Sequence, residues 1–267
     1  MLVRDVMSKD ILKVNPGDNA LKVGSLMDAK LIGAAVVVVD DEFRGIISKE
    51  TFVVNIGKLF DRTLESLCVS DLMESDIDQV KTEDDVNKAV DLLITQKSII
   101  DRLPVIQDGK VVGLISKADL TGLFSNRMRG KYKVADLMHY EPLTVCDYTP
   151  LDRVVKEMQN MAVKRVLVLE GERLVGIISV RDLSIALFRE KKLCRKPEPR
   201  STLTAGDIMT PNPITIKRKA DATEAAKIMV EKGIGGLPVV NGKLDGIISR
   251  GDILKGYQLA SSQKKSI

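Results

Sequence analysis

The chain has 267 residues, of which 44% are hydrophobic and 29% charged, a composition typical of a globular protein with an apolar core. Its 41 basic and 37 acidic residues give a formal charge of +4, which argues against a histone-like or strongly acidic protein. Three widely spaced cysteines, Cys68, Cys146 and Cys194, argue against a disulfide framework or zinc ribbon and favour a reducing cytoplasm. The longest apolar run, Leu31 to Val39, is too short to span a bilayer, and the N-terminus lacks a signal-peptide pattern.

In the first 60 residues, Ala20–Met27 carries apolar residues at i, i+3, i+4 and i+7, which predicts an amphipathic helix started by Asp18. The β-rich run Ala35–Val39 follows, and the polar turn 40–42 leads into a second strand. Ser48 ends that strand and is typical of the N-cap of a second helix. This segment therefore predicts strand, helix, strand, strand, helix.

The same order recurs three times further along the chain. Amphipathic helices are predicted over Val86–Leu93, Leu151–Met158 and Ala222–Met229. Their start signals are Thr82 with Asp85, Thr149 with Pro150, and Asp221. The β-rich runs that follow are Pro104–Ile106, Val166–Leu169 and Pro238–Val240.

Two short markers fix the register of these four repeats. Asp-x-Met begins at Asp5, Asp71, Asp136 and Asp207. Gly-h-h-Ser, where h is aliphatic, begins at Gly45, Gly113, Gly176 and Gly246, which lie 37 to 40 residues after the methionines. A constant period of this kind indicates one supersecondary unit used four times.

A unit of about 60 residues has too little core to be stable alone, so we expect repeat 1 to pair with 2 and repeat 3 with 4. The predicted boundaries give repeats at 1–60, 61–127, 128–190 and 201–260. A basic linker is expected at 191–200 and a disordered tail at 261–267.

The two markers, their spacing and the Gly-h-h-Ser-x-x-Asp ending together resemble the cystathionine β-synthase (CBS) domain. The resemblance implies an α+β fold in which paired CBS motifs form two Bateman modules arranged as a disc. Four motifs in one chain are similar to the γ subunit of AMP-activated kinases and to stand-alone prokaryotic CBS proteins. In that family, clefts between paired motifs bind adenosine-containing ligands.

The pattern Ser-x-x-Asp ends three of the repeats, at Ser116–Asp119, Ser179–Asp182 and Ser249–Asp252. A carboxylate can accept two hydrogen bonds from a ribose diol, and a helix start favours phosphate. The resemblance implies that the three aspartates bind ribose, whereas the pattern alone also fits a helix capping box. Repeat 1 departs from it, because Thr51 replaces the aspartate.

The resemblance also implies a ligand contact for the residue six positions after the methionine, which is Thr144 in repeat 3 and Thr215 in repeat 4. A plain strand start is the alternative.

Phosphate requires cations, and arginine binds it in a bidentate manner. Arg102 and Arg165 lie eleven residues before the strand glycines, where the kinase γ subunits carry a phosphate-binding His-Arg pair. Lys117, Arg181 and Arg250 lie beside the Ser-x-x-Asp serines and are further candidates.

Signs of catalysis are lacking in the sequence. It contains no Walker loop and no dinucleotide-binding glycine motif, and its single histidine, His139, has no placed Cys or Ser partner. We therefore expect no enzyme activity, no catalytic cofactor and no metal site.

The leading hypothesis is a cytoplasmic energy-sensing protein that binds AMP, ADP or ATP and acts by conformational change on a separate effector protein. One to three sites are expected, with at least one in repeats 3 and 4, and both a monomeric disc and a homodimer of discs fit. One alternative is a sensor of S-adenosylmethionine or methylthioadenosine, for which the arginines would have no role. Another is a nucleic-acid-binding or scaffold protein, supported by the basic runs 127–133 and 189–200 and opposed by the neutral remainder.

Overall fold

A computed structural model of the protein describes residues 1–55, 66–96, 98–188 and 203–263. The first two repeats contain strands Lys13–Val14, Ala34–Val39, Glu42–Ser48, Val80–Lys81, Arg102–Gln107 and Lys110–Ser116, with helices Ala20–Ala29, Lys49–Val54, Val86–Thr95 and Lys117–Arg127. The last two contain strands Thr144–Cys146, Arg165–Glu170, Arg173–Ser179, Thr210–Pro211, Gly236–Asn241 and Lys243–Ser249, with helices Leu151–Asn160, Val180–Phe188, Ala222–Glu231 and Arg250–Gln263. The predicted order of elements is therefore confirmed in the first three repeats, and in repeat 4 apart from its first strand, which is reduced to a single bridge.

Each repeat has an antiparallel hairpin beside a short parallel strand, represented in repeat 4 by a single bridge between Ile216 and Val239. Every hairpin contains one register shift close to its turn. Positive φ angles in these turns, such as 76° at Gly109 and 87° at Gly242, explain the glycines there.

The predicted helix starts agree with the structure in two repeats and differ in two. Asp85 and Asp221 cap their helices by accepting a backbone N–H. Asn19, not Asp18, caps the helix of repeat 1, because its side chain accepts from Lys22 N at 3.0 Å. Pro150 occupies the cap position in repeat 3 and makes no side-chain bond.

The aspartate of each Asp-x-Met marker caps a short helix. These helices are Val3–Asp5, Val69–Leu72, Val134–Leu137 and Ala205–Ile208. In each, the aspartate accepts from the backbone N–H three residues earlier, at 2.7 to 3.0 Å. The marker therefore stabilises the start of a short helix, and the residue after the methionine follows that helix.

The residue after the methionine of each Asp-x-Met marker lies against the Gly-h-h-Ser strand of the other repeat in the pair. The antiparallel bridges are Ser8 with Leu114, Glu74 with Ile46, His139 with Ile247 and Thr210 with Ile177. The two markers thus contact each other between repeats 1 and 2 and between repeats 3 and 4. This confirms the predicted pairing into two modules.

The helices pack across the two modules. The helix Lys117–Arg127 of repeat 2 contacts both long helices of repeat 4, and Val180–Phe188 of repeat 3 contacts both helices of repeat 1. The buried apolar residues accordingly form two cores, one mainly from repeats 2 and 4 and one from repeats 1 and 3. All four repeats are thereby held around a common centre.

Several predicted features fall outside the described residues, namely the boundary at 60/61 and the linker 191–200. The last helix extends to Gln263, into the segment predicted as a tail, and 264–267 are not described. Within the part of the chain that is described, no helix combines the length and apolar character needed to cross a membrane.

Candidate functional site

A cavity of about 670 Å³ lies at the centre, with walls from all four repeats. Repeat 1 contributes Gly33, Lys49 and Glu50, and repeat 2 contributes Asp101, Arg102, Ser116 and Lys117. Repeat 3 contributes Lys164, Arg165, Ser179, Arg181 and Asp182, and repeat 4 contributes Thr210, Ile214, Gly235 and Arg250, among others. Its volume falls within the usual range for small-molecule sites.

Asp182 is the one ribose-binding candidate of the three whose side chain belongs to the cavity wall. Its Oδ2 accepts from Ser179 N at 2.7 Å and from the Ser179 hydroxyl, which is the expected capping arrangement. Its Oδ1 accepts from the hydroxyl of Thr210, in repeat 4, at 2.9 Å. The carboxylate is half-buried, so Oδ1 is placed to exchange the threonine for a ligand hydroxyl.

Asp252 has the same local bonds but a different setting. Ser249 N and Oγ donate to its Oδ2 at 2.8 and 2.7 Å, and His139 Nε2 lies 2.9 Å from its Oδ1. The Asp252 side chain is 3% exposed, whereas that of His139 is 61% exposed and covers it. Asp252 and Ser249 do not belong to the cavity wall.

In repeat 2, Ser116 belongs to the wall and Asp119 does not, although Ser116 N and Oγ donate to Asp119 Oδ2 at 2.8 and 2.6 Å. In repeat 1, Thr51 takes over the capping role, since its Oγ1 accepts from Ser48 N at 2.9 Å and donates to Ser48 O at 2.8 Å. Thr51 is buried and provides no carboxylate.

The two candidate threonines lie away from the cavity. Thr144 is exposed at the start of its strand, and Thr215 is exposed in a separate depression of about 350 Å³ between the hairpins of repeats 3 and 4. Thr144 agrees with the plain strand-start interpretation, whereas Thr215 lies in no strand and precedes the single bridge at Ile216.

All five candidate cations, in contrast, do line the cavity: Arg102, Lys117, Arg165, Arg181 and Arg250. Lys49 and Lys164 add two more, against three acidic residues, Glu50, Asp101 and Asp182. Lys49 forms a buried ion pair with Asp28 at 3.2 Å. Within the described residues, Arg102 Nη1 and Arg250 Nε are buried without a hydrogen-bond partner. Buried donors of this kind fit an anionic ligand.

The arginines repel one another and remain charged. Burial, and next the charge of Arg165, lower the pKa of Arg250 to about 10. Burial also lowers the pKa of Arg165, against the attraction of Asp101, Glu50 and other acids. At neutral pH the cavity therefore keeps a surplus of positive charge, which a phosphate would compensate.

Two glycines make room for these arginines. A Cβ at Gly33 would overlap the guanidinium of Arg102, and one at Gly235 would overlap that of Arg165. In the sequence, Gly235 holds the position eleven residues before the strand glycine in repeat 4, and Gly33 directly precedes Ala34, which holds that position in repeat 1. The structure gives them a role, because each module combines an arginine from one repeat with a glycine from the other.

Among the residues of the cavity wall that were not predicted from the sequence are Lys49, Glu50, Asp101, Lys164 and Thr210. Asp101 and Lys164 directly precede Arg102 and Arg165, and Thr210 directly follows an Asp-x-Met marker. These positions relative to the candidate arginines and the markers could have identified the three residues. They do not predict the contact between Asp101 and Lys164, which joins two different modules.

Paired α+β repeats around a basic central cavity define a class of repeat protein. Four segments, 3–57, 69–126, 134–189 and 205–258, match the family model of the CBS domain. Since these segments make up most of the chain, the protein belongs to the CBS domain family.

The curated relatives include proteins from Methanocaldococcus jannaschii. The chain is 25% identical over 263 residues to the uncharacterized protein MJ1404, which covers 95% of this chain and 61% of that protein. It is 30% identical over 195 residues to the uncharacterized protein MJ1426, which covers 72% of this chain and 91% of that protein. The chain thus spans about three fifths of the first relative.

The fold is similar to the crystal structure of protein MJ1225 from the same organism, with a TM-score of 0.87. The match covers 96% of this chain and 100% of that one at 22% identity. That protein was described with its structure as a proposed archaeal homologue of g-AMPK. At this identity the similarity shows the fold alone, which is the four-motif, two-module fold predicted from the sequence.

Proposed function

We propose that this protein is a regulatory, non-catalytic sensor that binds AMP, ADP or ATP in the central cavity. The observation that carries the proposal is that the wall of one cavity contains both a carboxylate able to bind ribose and a surplus of cations, most of them half-buried. Asp182 provides the carboxylate, and Arg165 and Arg250 provide cations on the central side. A cytoplasmic location is part of the proposal.

The cavity offers a place for each part of a nucleotide. An apolar wall suited to an adenine ring is formed by Ile177, Ile185, Pro213, Ile214, Ile234 and Pro238. The ribose hydroxyls would donate to Asp182 Oδ1 in place of Thr210. The phosphate would then extend toward Arg165 and Arg250, whose guanidinium groups can bind it with several donors.

A nucleotide held by Asp182, Arg165 and Arg250 of the second module would share the cavity with Lys49 and Lys117 of the first, so it would lie between the two modules. Binding would therefore favour one relative position of the modules over another. The available free energy is the difference in ligand affinity between the two arrangements. We propose that a separate effector protein, or self-association of discs, responds to that change.

A phosphate-free ligand such as methylthioadenosine would use the apolar wall and Asp182 but leave the arginines without a role. Native mass spectrometry with an equimolar mixture of AMP, ADP, ATP, S-adenosylmethionine and methylthioadenosine distinguishes these ligands and reports the oligomeric state. One to three adenine nucleotides per chain is the expected result. Binding of a phosphate-free ligand alone, or of none of the five compounds, would contradict nucleotide sensing.

Arg165→Gln is expected to weaken AMP binding by about tenfold to a hundredfold, the scale of a lost charge-assisted hydrogen bond. Adenosine binding should stay within about twofold, because adenosine has no phosphate to contact the guanidinium. Isothermal titration calorimetry with both ligands measures the difference. Arg153→Gln is the matched control, since the Arg153 side chain is 72% exposed and lies outside the cavity wall. Equal losses for AMP and adenosine would contradict a phosphate contact at Arg165.

A further inference from the structure

Asp101 brings a negative charge into a cavity that otherwise favours anions. Its Oδ1 lies 2.9 Å from Lys117 Nζ and 2.7 Å from Lys164 Nζ, so one carboxylate oxygen serves two ammonium groups. Lys117 belongs to the same repeat, whereas Lys164 belongs to repeat 3. The ion pair with Lys164 therefore crosses from one module to the other.

The surroundings keep this carboxylate ionised. Burial by itself would raise the pKa of Asp101, but the charges of Lys164 and Lys117 outweigh it and hold that pKa well below its usual range. The three side chains are 20 to 29% exposed, so the pairs are partly shielded from water. The Lys164 ammonium has three N–H donors, and Asp101 Oδ1, at 2.7 Å, uses one of them. The lysine retains unused donor capacity.

A phosphate would be a stronger partner for these lysines than a carboxylate. It carries more charge at neutral pH and offers three oxygens, so it can accept from both ammonium groups and from a guanidinium together. Asp101 has only two oxygens, and both lysines already share one of them. A bound phosphate and Asp101 would also repel each other across the cavity.

We propose that Asp101 is an internal counter-anion that occupies Lys117 and Lys164 in the ligand-free protein and is displaced when a phosphate enters the cavity. This inference rests on the proposed function, because it requires a phosphate-bearing ligand. Displacement removes the Asp101–Lys164 ion pair between the modules. Asp101 thereby lowers the affinity for the ligand and couples binding to the contact between the modules.

A purely structural role for Asp101 predicts the opposite effect on binding. If its carboxylate only positions the two lysines for the ligand, its removal would disorder them and weaken binding. The sign of the change in affinity therefore separates the two roles. Glu50 offers a matched comparison, because it is an acid of the same cavity whose Oε2 is buried without a hydrogen-bond partner.

The test measures AMP and adenosine binding by isothermal titration calorimetry for the full-length chain and three variants. We expect Asp101→Asn to tighten AMP binding at least about tenfold, and Glu50→Gln by no more than about threefold. Adenosine binding should not change in either variant. Lys164→Gln breaks the same ion pair from the other side and should weaken AMP binding, because it removes a phosphate ligand.

Weaker AMP binding in Asp101→Asn, or an effect equal to that of Glu50→Gln, would overturn the proposal. A change of AMP affinity in the same direction for Asp101→Asn and Lys164→Gln would also overturn it. Circular dichroism checks that each variant folds. If Asp101→Asn does not fold, Lys164→Gln is the deciding variant. Unchanged or tighter AMP binding by Lys164→Gln would also overturn the proposal. Failure of the unmodified protein to bind AMP would instead refute the proposed function.

Discussion

Asp182→Asn should weaken AMP binding by about a hundredfold, whereas Asp252→Asn should change it by less than about threefold. Both aspartates end the same sequence motif and accept the same bonds from their serines. They differ in access, since Asp182 belongs to the cavity wall and Asp252 is buried under His139. The asparagine amide lacks the negative charge with which the Asp182 carboxylate would strengthen two hydrogen bonds from the ribose hydroxyls. Titration calorimetry with AMP measures both variants.

Asparagine keeps the helix start intact in this experiment. Its side-chain oxygen can still accept from Ser179 N, so the capping bond of the motif survives the substitution. Unchanged thermal unfolding of Asp182→Asn would show that the loss concerns the ligand and not the fold. If both variants lose binding equally, the structural difference between the two sites is irrelevant to the ligand. If neither does, Ser-x-x-Asp is a capping box and nothing more.

The repeat architecture was predictable because each of its signals is local. Helix periodicity, a turn such as that at Gly109 and a capping serine such as Ser48 act within a few residues of one another. The partner of each element was only partly predictable. Pairing within modules follows from the even number of repeats, but an amphipathic helix face does not specify which other face covers it. The packing of repeat 2 on repeat 4 therefore emerges only from the structure.

The same limit applies to the site. The positions of Arg102, Arg165, Thr144 and Thr215 in their repeats predicted ligand contacts. The two arginines line the cavity, and the two threonines do not. Asp182 and Asp252 also occupy the same position in their repeats, so the motif alone does not distinguish them. What separates these two is the side chain of the residue after Asp-x-Met in the paired repeat, which is His139 at Asp252 and Thr210 at Asp182. The spacing of the markers places both residues alike, so the difference in access comes from the side chain and not from the register.

Gly246→Ala should destabilise the protein by about 2–4 kcal/mol, the range for forced overlap in a packed interior. A Cβ at this position would overlap the carbonyl oxygen of His139 and lie 3.1 Å from its carbonyl carbon and 3.3 Å from Tyr140 Cα. All three atoms are backbone, so no side chain can move aside. The backbone cannot retreat without lengthening the two 2.9 Å hydrogen bonds between His139 and Ile247. Urea and thermal unfolding measure the loss, which corresponds to a fall in Tm of roughly 5–15 °C.

Gly251→Ala is the matched control for this substitution, five residues further along the same segment. A Cβ there would lie 3.6 Å from Ser249 Oγ, an ordinary contact, and alanine favours the helix Arg250–Gln263 that contains it. We therefore expect Gly251→Ala to leave stability unchanged or slightly increased. Equal stability of the two variants would mean that the Asp-x-Met segment of repeat 3 does not lie against the Gly-h-h-Ser strand of repeat 4. A selective loss in Gly246→Ala would instead explain why a glycine begins the second marker, since this contact between the two markers holds paired repeats together.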